Sequence, residues 1–411
     1  MRVLLVHQNF PGQFRHVALG LVERGHELAV ITDGGNKVEI PYLTARYGYT
    51  PPERSKIVDV GAPLAAHHAQ MAGRGAAAAR VAAKLRDERG FRPDVIFGHP
   101  GWGEMLYLSA VWPGVPQLQY AEFYYAPQGL DADFDPEFQT RTLARALSTL
   151  AMRSHLAQSM LEAEAAIAPT EWQASTFPPG LRSAIRVIHD GVNTAALRPD
   201  PAAEFTPPGT DLVLRHGDEV LTYVARNIEP YRGAHTFLRA LPEVLAARPG
   251  ARAVIVGGAG LSYGAAPPGG GSWKDALLKE LGDRLDLARV HFAGWLRYPE
   301  FCRLMQVSRV HAYLTYPFVL SWSLLEAMSM GAAVVASRTP PVEEVIEHGV
   351  NGRLVDFFDV TGWAAALTEA LANPGALEPL RKAARETVVS RYDLGRCLPR
   401  ILDLVEETAR V

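Results

Sequence analysis

The sequence predicts an α/β protein built from two Rossmann-like parallel-sheet halves facing a central cleft, and three observations carry that prediction. Short apolar runs of strand length recur along the chain, separated by stretches with helical spacing. The opening is typical: an apolar run at 3–6, the loop HQNFPGQF, then Phe14, Val17, Ala18, Leu21 and Val22 on one helical face, Gly25, and a second run at 28–32. At 198–217 the pattern breaks into a proline-rich, charged stretch and then restarts.

Each element follows from this reading. In the first half, further strands fit at 57–60, 95–97, 117–120, 165–168 and 185–188. In the second, strands fit at 220–224, 253–256, 290–292, 310–314 and 333–336, with Phe237, Leu241, Val244 and Leu245 on one face of the intervening helix. The implied division is a first domain at 1–195, a linker at 196–217, a second domain at 218–390, and a final helical segment at 391–411 returning to the first domain. A chain of 411 residues exceeds what one core usually supports.

Composition narrows the function classes. The net charge of −3 gives no whole-chain attraction to nucleic acid. Cys302 and Cys397 are the only cysteines, which argues against a disulfide framework or a cysteine zinc site and fits a reducing cytoplasm. The N-terminus reads as a first strand rather than a signal peptide, and no apolar run reaches membrane-span length. The basic, alanine-rich segment Arg74 to Arg92 reads as a solvated helix, with peripheral contact on the inner, anionic membrane face as the alternative. GGAGLSYGAAPPGGGSW, from Gly257 to Trp273, reads as a mobile surface loop, with a lid as the alternative.

Two stretches carry chemistry. From Tyr316 to Ser337 a loop leads into a short helix at 324–330, stopped by Gly331. The N–H groups of Ser321, Trp322, Ser323 and Leu324 at that helix start suit a phosphate, with Glu326 one turn in to accept ribose hydroxyls. The competing reading makes Ser323 and Glu326 a reciprocal capping box. The second stretch is RNIEPYRG, after the first strand of the second half. Arg226 and Arg232, with Asn227 beside them, suit a diphosphate, because a guanidinium stays charged and binds phosphate oxygens in a fork. The alternative is a surface ion-pair cluster with Glu229. In the first half, Gly12 and Gln13 follow the first strand, and His99 follows a later one. Asp131, Asp133 and Asp135 lack calcium-loop spacing and read as loop acids.

VARNIEPYRG, LLEAM followed by GAAVVAS, and PVEEVIEHGVNGRLV, together with HQNFPGQFRHVA, AEFYYAPQG and HDGVNT, resemble the retaining group-1 glycosyltransferases of family 4, which have the GT-B fold. The resemblance covers nearly the whole chain. It implies that Arg226 is the phosphate-binding arginine and that Arg232 stands where the family usually has lysine, with spacing one residue longer. It implies that Glu326 binds the nucleotide ribose, and that the loop with Gly12 and Gln13 lies near donor phosphate and acceptor. The family's first glutamate would fall at Phe318, so the donor sugar must be held by something else. Glu122, near a position where many relatives have histidine, is the candidate acceptor-hydroxyl base or sugar contact, with His99 as a further acceptor or sugar contact. The expected reaction needs neither metal nor cofactor: a nucleotide-diphospho-sugar is the co-substrate, and a glycan, glycolipid or small molecule the acceptor. A sugar-nucleotide epimerase and a nucleotide-sugar-binding partner subunit without turnover are the alternatives.

Overall fold

A computed structural model describes residues 1–43, 45–53, 63–138 and 141–411. The chain forms two compact units, 1–191 with 395–411, and 192–394.

The first unit is a seven-stranded parallel sheet in the order β3-β2-β1-β4-β5-β6-β7. Its strands are β1 (Arg2–Val6), β2 (Glu27–Asp33), β3 (Ala45–Tyr49), β4 (Val95–Gly98), β5 (Gln117–Tyr120), β6 (Ala165–Ala168) and β7 (Ile185–Val187). Central β1 is buried on both faces from Val3 to Val6, the condition of a parallel strand covered by helices on each side. The edge strand β3, ARYGY, was not expected from the sequence, and the strand expected at 57–60 lies outside the described residues.

The helix Pro63–Arg89 corrects the reading of a solvated basic segment. Met71, Gly75, Ala78, Ala82 and Leu85 recur at helical spacing and are buried, so its small-residue face lies in the core. Arg80, Lys84 and Arg89 remain exposed, but Arg74 turns inward, hydrogen-bonding Gln8 and lying 3.6 Å from the buried Glu104. The apolar face that a membrane would need is already used. No helix among the described residues is long and apolar enough to cross a membrane.

The helix Leu394–Thr408 packs against this unit through Ile401, Leu402, Leu404 and Val405, which share a core with Phe14, Val17 and Leu21. Each such buried side chain contributes about 1.5–3 kcal/mol. Arg24 pairs with Asp403 and Glu406 along the same seam.

The second unit is a six-stranded parallel sheet, β12-β11-β10-β13-β14-β15. Its strands are β10 (Val220–Asn227), β11 (Arg252–Gly258), β12 (Val290–Gly294), β13 (Val310–Tyr313), β14 (Ala333–Ser337) and β15 (Arg353–Val355). The stretch read as a linker carries the antiparallel pair β8 (Glu204–Phe205) and β9 (Leu214–Arg215). Leu197, Ala203, Phe205 and Leu214 are buried in this unit's core, so the segment is a packed part of the unit rather than a bare connection.

Gly75 shows how close the packing of the first unit is. A Cβ there would come 2.6 Å from the carbonyl oxygen of Gly103. Gly75→Val should therefore cost about 1–3 kcal/mol, the usual range for overpacking. A urea titration should show a lower midpoint at unchanged slope.

Candidate functional site

In the first unit, the loop after β1 and the segments after β4 and β5 build one polar constellation. The Asn9 N–H donates to His7 Nδ1 (3.0 Å), so the His7 proton sits on Nε2, which donates to Gln13 Oε1 (2.7 Å). That fixes the Gln13 amide, whose Nε2 donates to Glu122 Oε1 (2.9 Å). From the other side, the Gly101 N–H donates to His99 Nδ1 (3.0 Å), and His99 Nε2 lies 3.4 Å from Glu122 Oε2. His99 is buried between Trp102 and Tyr120, with ring centroids at 4.4 and 5.4 Å. The structure thus brings Gln13, His99 and Glu122 together and adds His7, which sequence reasoning passed over.

The electrostatics follow from these contacts. Burial pushes the His7 imidazole down to about 3, with His99 adding to the shift, so His7 is neutral. Burial alone would raise the Glu122 carboxyl, but His99, Gln13 and His7 outweigh it and hold the group below the ordinary carboxylate range. A carboxylate held this way is a weak proton abstractor and a good acceptor for hydroxyl hydrogen bonds. Gly12 lies against His7. Its φ is +44°, and a Cβ would collide with the His7 ring, so glycine here makes room for a side chain of the same chain. Asp133 accepts from the Gly129 N–H and pairs with Arg141, while Asp135 accepts from the Glu137 N–H, so these acids close their own loop.

In the second unit the two arginines do not act as a pair. Arg226 is exposed at the end of β10 and lines an open pocket of about 460 Å³ with Asn227, Gly258, Ala259, Gly260, Leu261, Ser262 and Trp295. These residues lie at or just after the ends of β10, β11 and β12, the carboxyl edge where parallel sheets bind ligands. Arg232 is only 6% exposed. Its Nη1 donates to Thr315 Oγ1 (2.7 Å) and to the Val319 carbonyl (3.0 Å), and its guanidinium lies over the rings of Tyr263 and Phe318. Arg232, expected to bind the donor diphosphate beside Arg226, is buried here and fastens the loop that contains Phe318. Phe318 is itself buried against Tyr231 and Tyr263.

Of the segment 257–273, expected to be a mobile surface loop, the first part, 257–264, is hydrogen-bonded into the wall of the pocket. Asn227 Nδ2 donates to Ser262 Oγ (2.7 Å), and Glu229 Oε2 accepts from the N–H groups of Ser262, Tyr263 and Gly264 (3.3, 3.3 and 3.1 Å). Glu229, which the alternative reading placed in an arginine ion-pair cluster, serves backbone donors instead.

The helix of the Tyr316 to Ser337 stretch is Trp322–Ser329, and its N-cap is Ser321 rather than Ser323. Ser321 Oγ accepts from the Ser323 N–H, the Ser321 N–H donates to the Tyr313 hydroxyl (2.8 Å), and the Leu324 N–H donates to the Ser321 carbonyl. Three of the four N–H groups assigned to a phosphate are thus engaged by the chain in this structure. Glu326 takes no part in a capping box: its Oε1 accepts from the Tyr298 hydroxyl (2.7 Å), and burial raises its carboxyl despite that bond. Tyr298 and Trp295 were missed; the available signal was a pair of large aromatics close after a strand-ending glycine, Gly294.

Two parallel-sheet units with polar sites at their carboxyl edges define a GT-B type of frame. Residues 24–197 match the glycosyl transferase family 4 group and residues 211–387 match the glycosyl transferases group 1. Glycogen synthase of Mycobacterium tuberculosis is 26% identical over 316 residues, covering 75% of this chain and 68% of the relative. D-inositol 3-phosphate glycosyltransferase of Mycobacterium ulcerans is 31% identical over 194 residues, 47% of this chain and 38% of that one. Among solved structures, Anabaena HepE in complex with UDP-glucose aligns over 99% of this chain and 100% of its own, with TM-score 0.66 and 16% identity. The chain is a glycosyltransferase, with a family 4 group domain followed by a group 1 domain.

The buried histidines make stability depend on pH. Burial lowers His7 to about 3 and His155, His189 and His311 to about 4, from an ordinary 6.5. Only the unfolded chain then binds these protons as pH falls from 6.5, so stability is full above 6.5 and is lost progressively toward 4. At pH 5 each histidine should withdraw on the order of 1–2 kcal/mol. Glu104 and Glu326, whose carboxyls burial raises, oppose the trend but are fewer. The thermal midpoint should be clearly lower at pH 5 than at pH 7.5, and equal midpoints would refute the neutral assignment.

Proposed function

We propose that this chain transfers a sugar from a nucleotide-diphospho-sugar to a hydroxyl acceptor, with retention at the anomeric carbon and without a metal. The observation that carries the reading is the pocket around Arg226. Its exposed guanidinium offers a fork to phosphate oxygens. Gly258 and Gly260 let backbone come close to a ligand, and the exposed Trp295 offers a ring face to a nucleobase. UDP-glucose, the ligand of HepE, fits those features and is the natural first donor to test.

In this reading the bond from the anomeric carbon to the diphosphate oxygen breaks, the acceptor oxygen bonds to that carbon on the same face, and the acceptor hydroxyl's proton passes to the departing diphosphate oxygen. Arg226 stabilises the charge that grows on the departing diphosphate. Glu326 accepts ribose hydroxyls in place of Tyr298. Glu122, held ionised, accepts hydrogen bonds from sugar or acceptor hydroxyls. That role suits its lowered carboxyl better than proton abstraction does. The acceptor is a glycan, a glycolipid or a small molecule. Phe318, in place of the family's glutamate, favours the second reading, a subunit that binds a nucleotide sugar without turnover.

Arg226→Ala should lower kcat/KM for UDP-glucose at least tenfold, about the worth of one charged hydrogen bond. Thermal stabilisation by UDP-, GDP-, TDP- and ADP-sugars identifies the donor if another nucleotide is preferred. Near-normal transfer by the Arg226 variant would sink the assignment, and UDP-glucose binding without transfer to any acceptor would establish the second reading.

A further inference from the structure

The strongest unexplained feature of the second unit is Glu229. Its side chain is fully buried, and one oxygen collects three consecutive backbone N–H groups, those of Ser262, Tyr263 and Gly264. Three adjacent N–H groups converging on one point form a nest, a concavity that binds anions. Here the chain's own carboxylate fills it.

The surroundings show what this achieves. The segment after β10 and the segment after β11 run side by side, joined by the Ile228 N–H to the Gly258 carbonyl (2.9 Å) and by Asn227 to Ser262. A Cβ at Gly257 would come 2.9 Å from the Ala225 carbonyl, and one at Gly258 would collide with Asn227 and Trp295. Glycine is needed there for the strap to lie this close. Beyond the nest, Tyr263 packs on Tyr231 and Phe318 and over the Arg232 guanidinium. Gly258 to Ser262 line the same pocket as Arg226.

We propose that Glu229 is a positioning residue for the donor pocket: by filling the 262–264 nest it latches the glycine-rich strap as a preformed wall beside Arg226. The ligand then meets a shaped pocket and does not bear the cost of ordering the strap. A second consequence follows. Because the nest is occupied from within, the donor phosphate is left to Arg226 and Asn227 rather than to the strap's N–H groups. This rests on the reading of the Arg226 pocket as the donor site.

The test has two arms. In ligand-free protein, hydrogen exchange at the 262–264 amides should quicken at least tenfold in Glu229→Ala and less in Glu229→Gln, which keeps the shape and one acceptor oxygen. With UDP-glucose, Glu229→Ala should raise KM at least fivefold while kcat stays within twofold. If the alanine variant fails to fold, the glutamine variant carries both arms with the same direction of change. Unchanged exchange overturns the latch. Faster exchange with unchanged KM, or a fall in kcat at constant KM, overturns the pocket-wall role. If another nucleotide sugar is the preferred donor, it replaces UDP-glucose in the KM arm; wild-type protein indifferent to UDP-, GDP-, TDP- and ADP-sugars alike sinks the donor reading, and the exchange arm then decides the latch by itself.

Discussion

The second unit depends on one buried cation. Removing a guanidinium from water is costly unless its donors are met, and Arg232 meets them with Thr315, the Val319 carbonyl and two aromatic faces. To do so it must hold the 315–319 loop at a fixed distance from the turn after β10. Glu229, at the other end of the same Pro230–Arg232 turn, fixes 262–264 in turn. Tyr231 between them packs its ring against those of Tyr263, Tyr316 and, edge-on, Phe318. A four-residue hub therefore fastens both loops at the carboxyl edge of this sheet. Only Arg226, just before the hub, is left exposed, and the distinction between a structural and a ligand-facing arginine comes from this burial.

Much of this architecture was legible in the sequence. Apolar runs marked the central strands because a parallel strand is covered on both faces, as β1 and β13 are. Edge strands lack that signature: β3 reads ARYGY and β15 is only RLV. Arg74 was misread because helical spacing assigns a face, yet a long arginine at the boundary can fold inward to a buried acid such as Glu104. The cap was placed at Ser323 instead of Ser321 because both serines fit a helix start, and only the hydrogen-bond direction separates them.

The candidate site was legible where side chains meet side chains. Gln13, His99 and Glu122 each follow a strand of one parallel sheet, so topology brings them to one edge. Glu229 left no such mark. Its partners are main-chain N–H groups 33–35 residues away, supplied by any residue type but proline. A carboxylate serving backbone donors looks, in sequence, like one waiting for a nearby arginine, and RNIEPYRG offers two.

The two units thus hold their carboxylates by different means with different chemical results. Around Glu122, two backbone N–H groups set the protonated nitrogens of His7 and His99, and the chain of donors ends on a carboxylate that stays partly exposed. Gln13 donates to one of its oxygens and His99 lies 3.4 Å from the other, so the anion is stabilised while its remaining lone pairs stay open to hydroxyls. Around Glu229, burial is complete and the donors are consumed by the protein's own loop. A carboxylate is therefore a recognition group in the first unit and a fastener in the second. What separates them is solvent access and the origin of the donors, since a residue whose anion is spent on its own backbone has shape to offer a ligand, and one left half-open has charge.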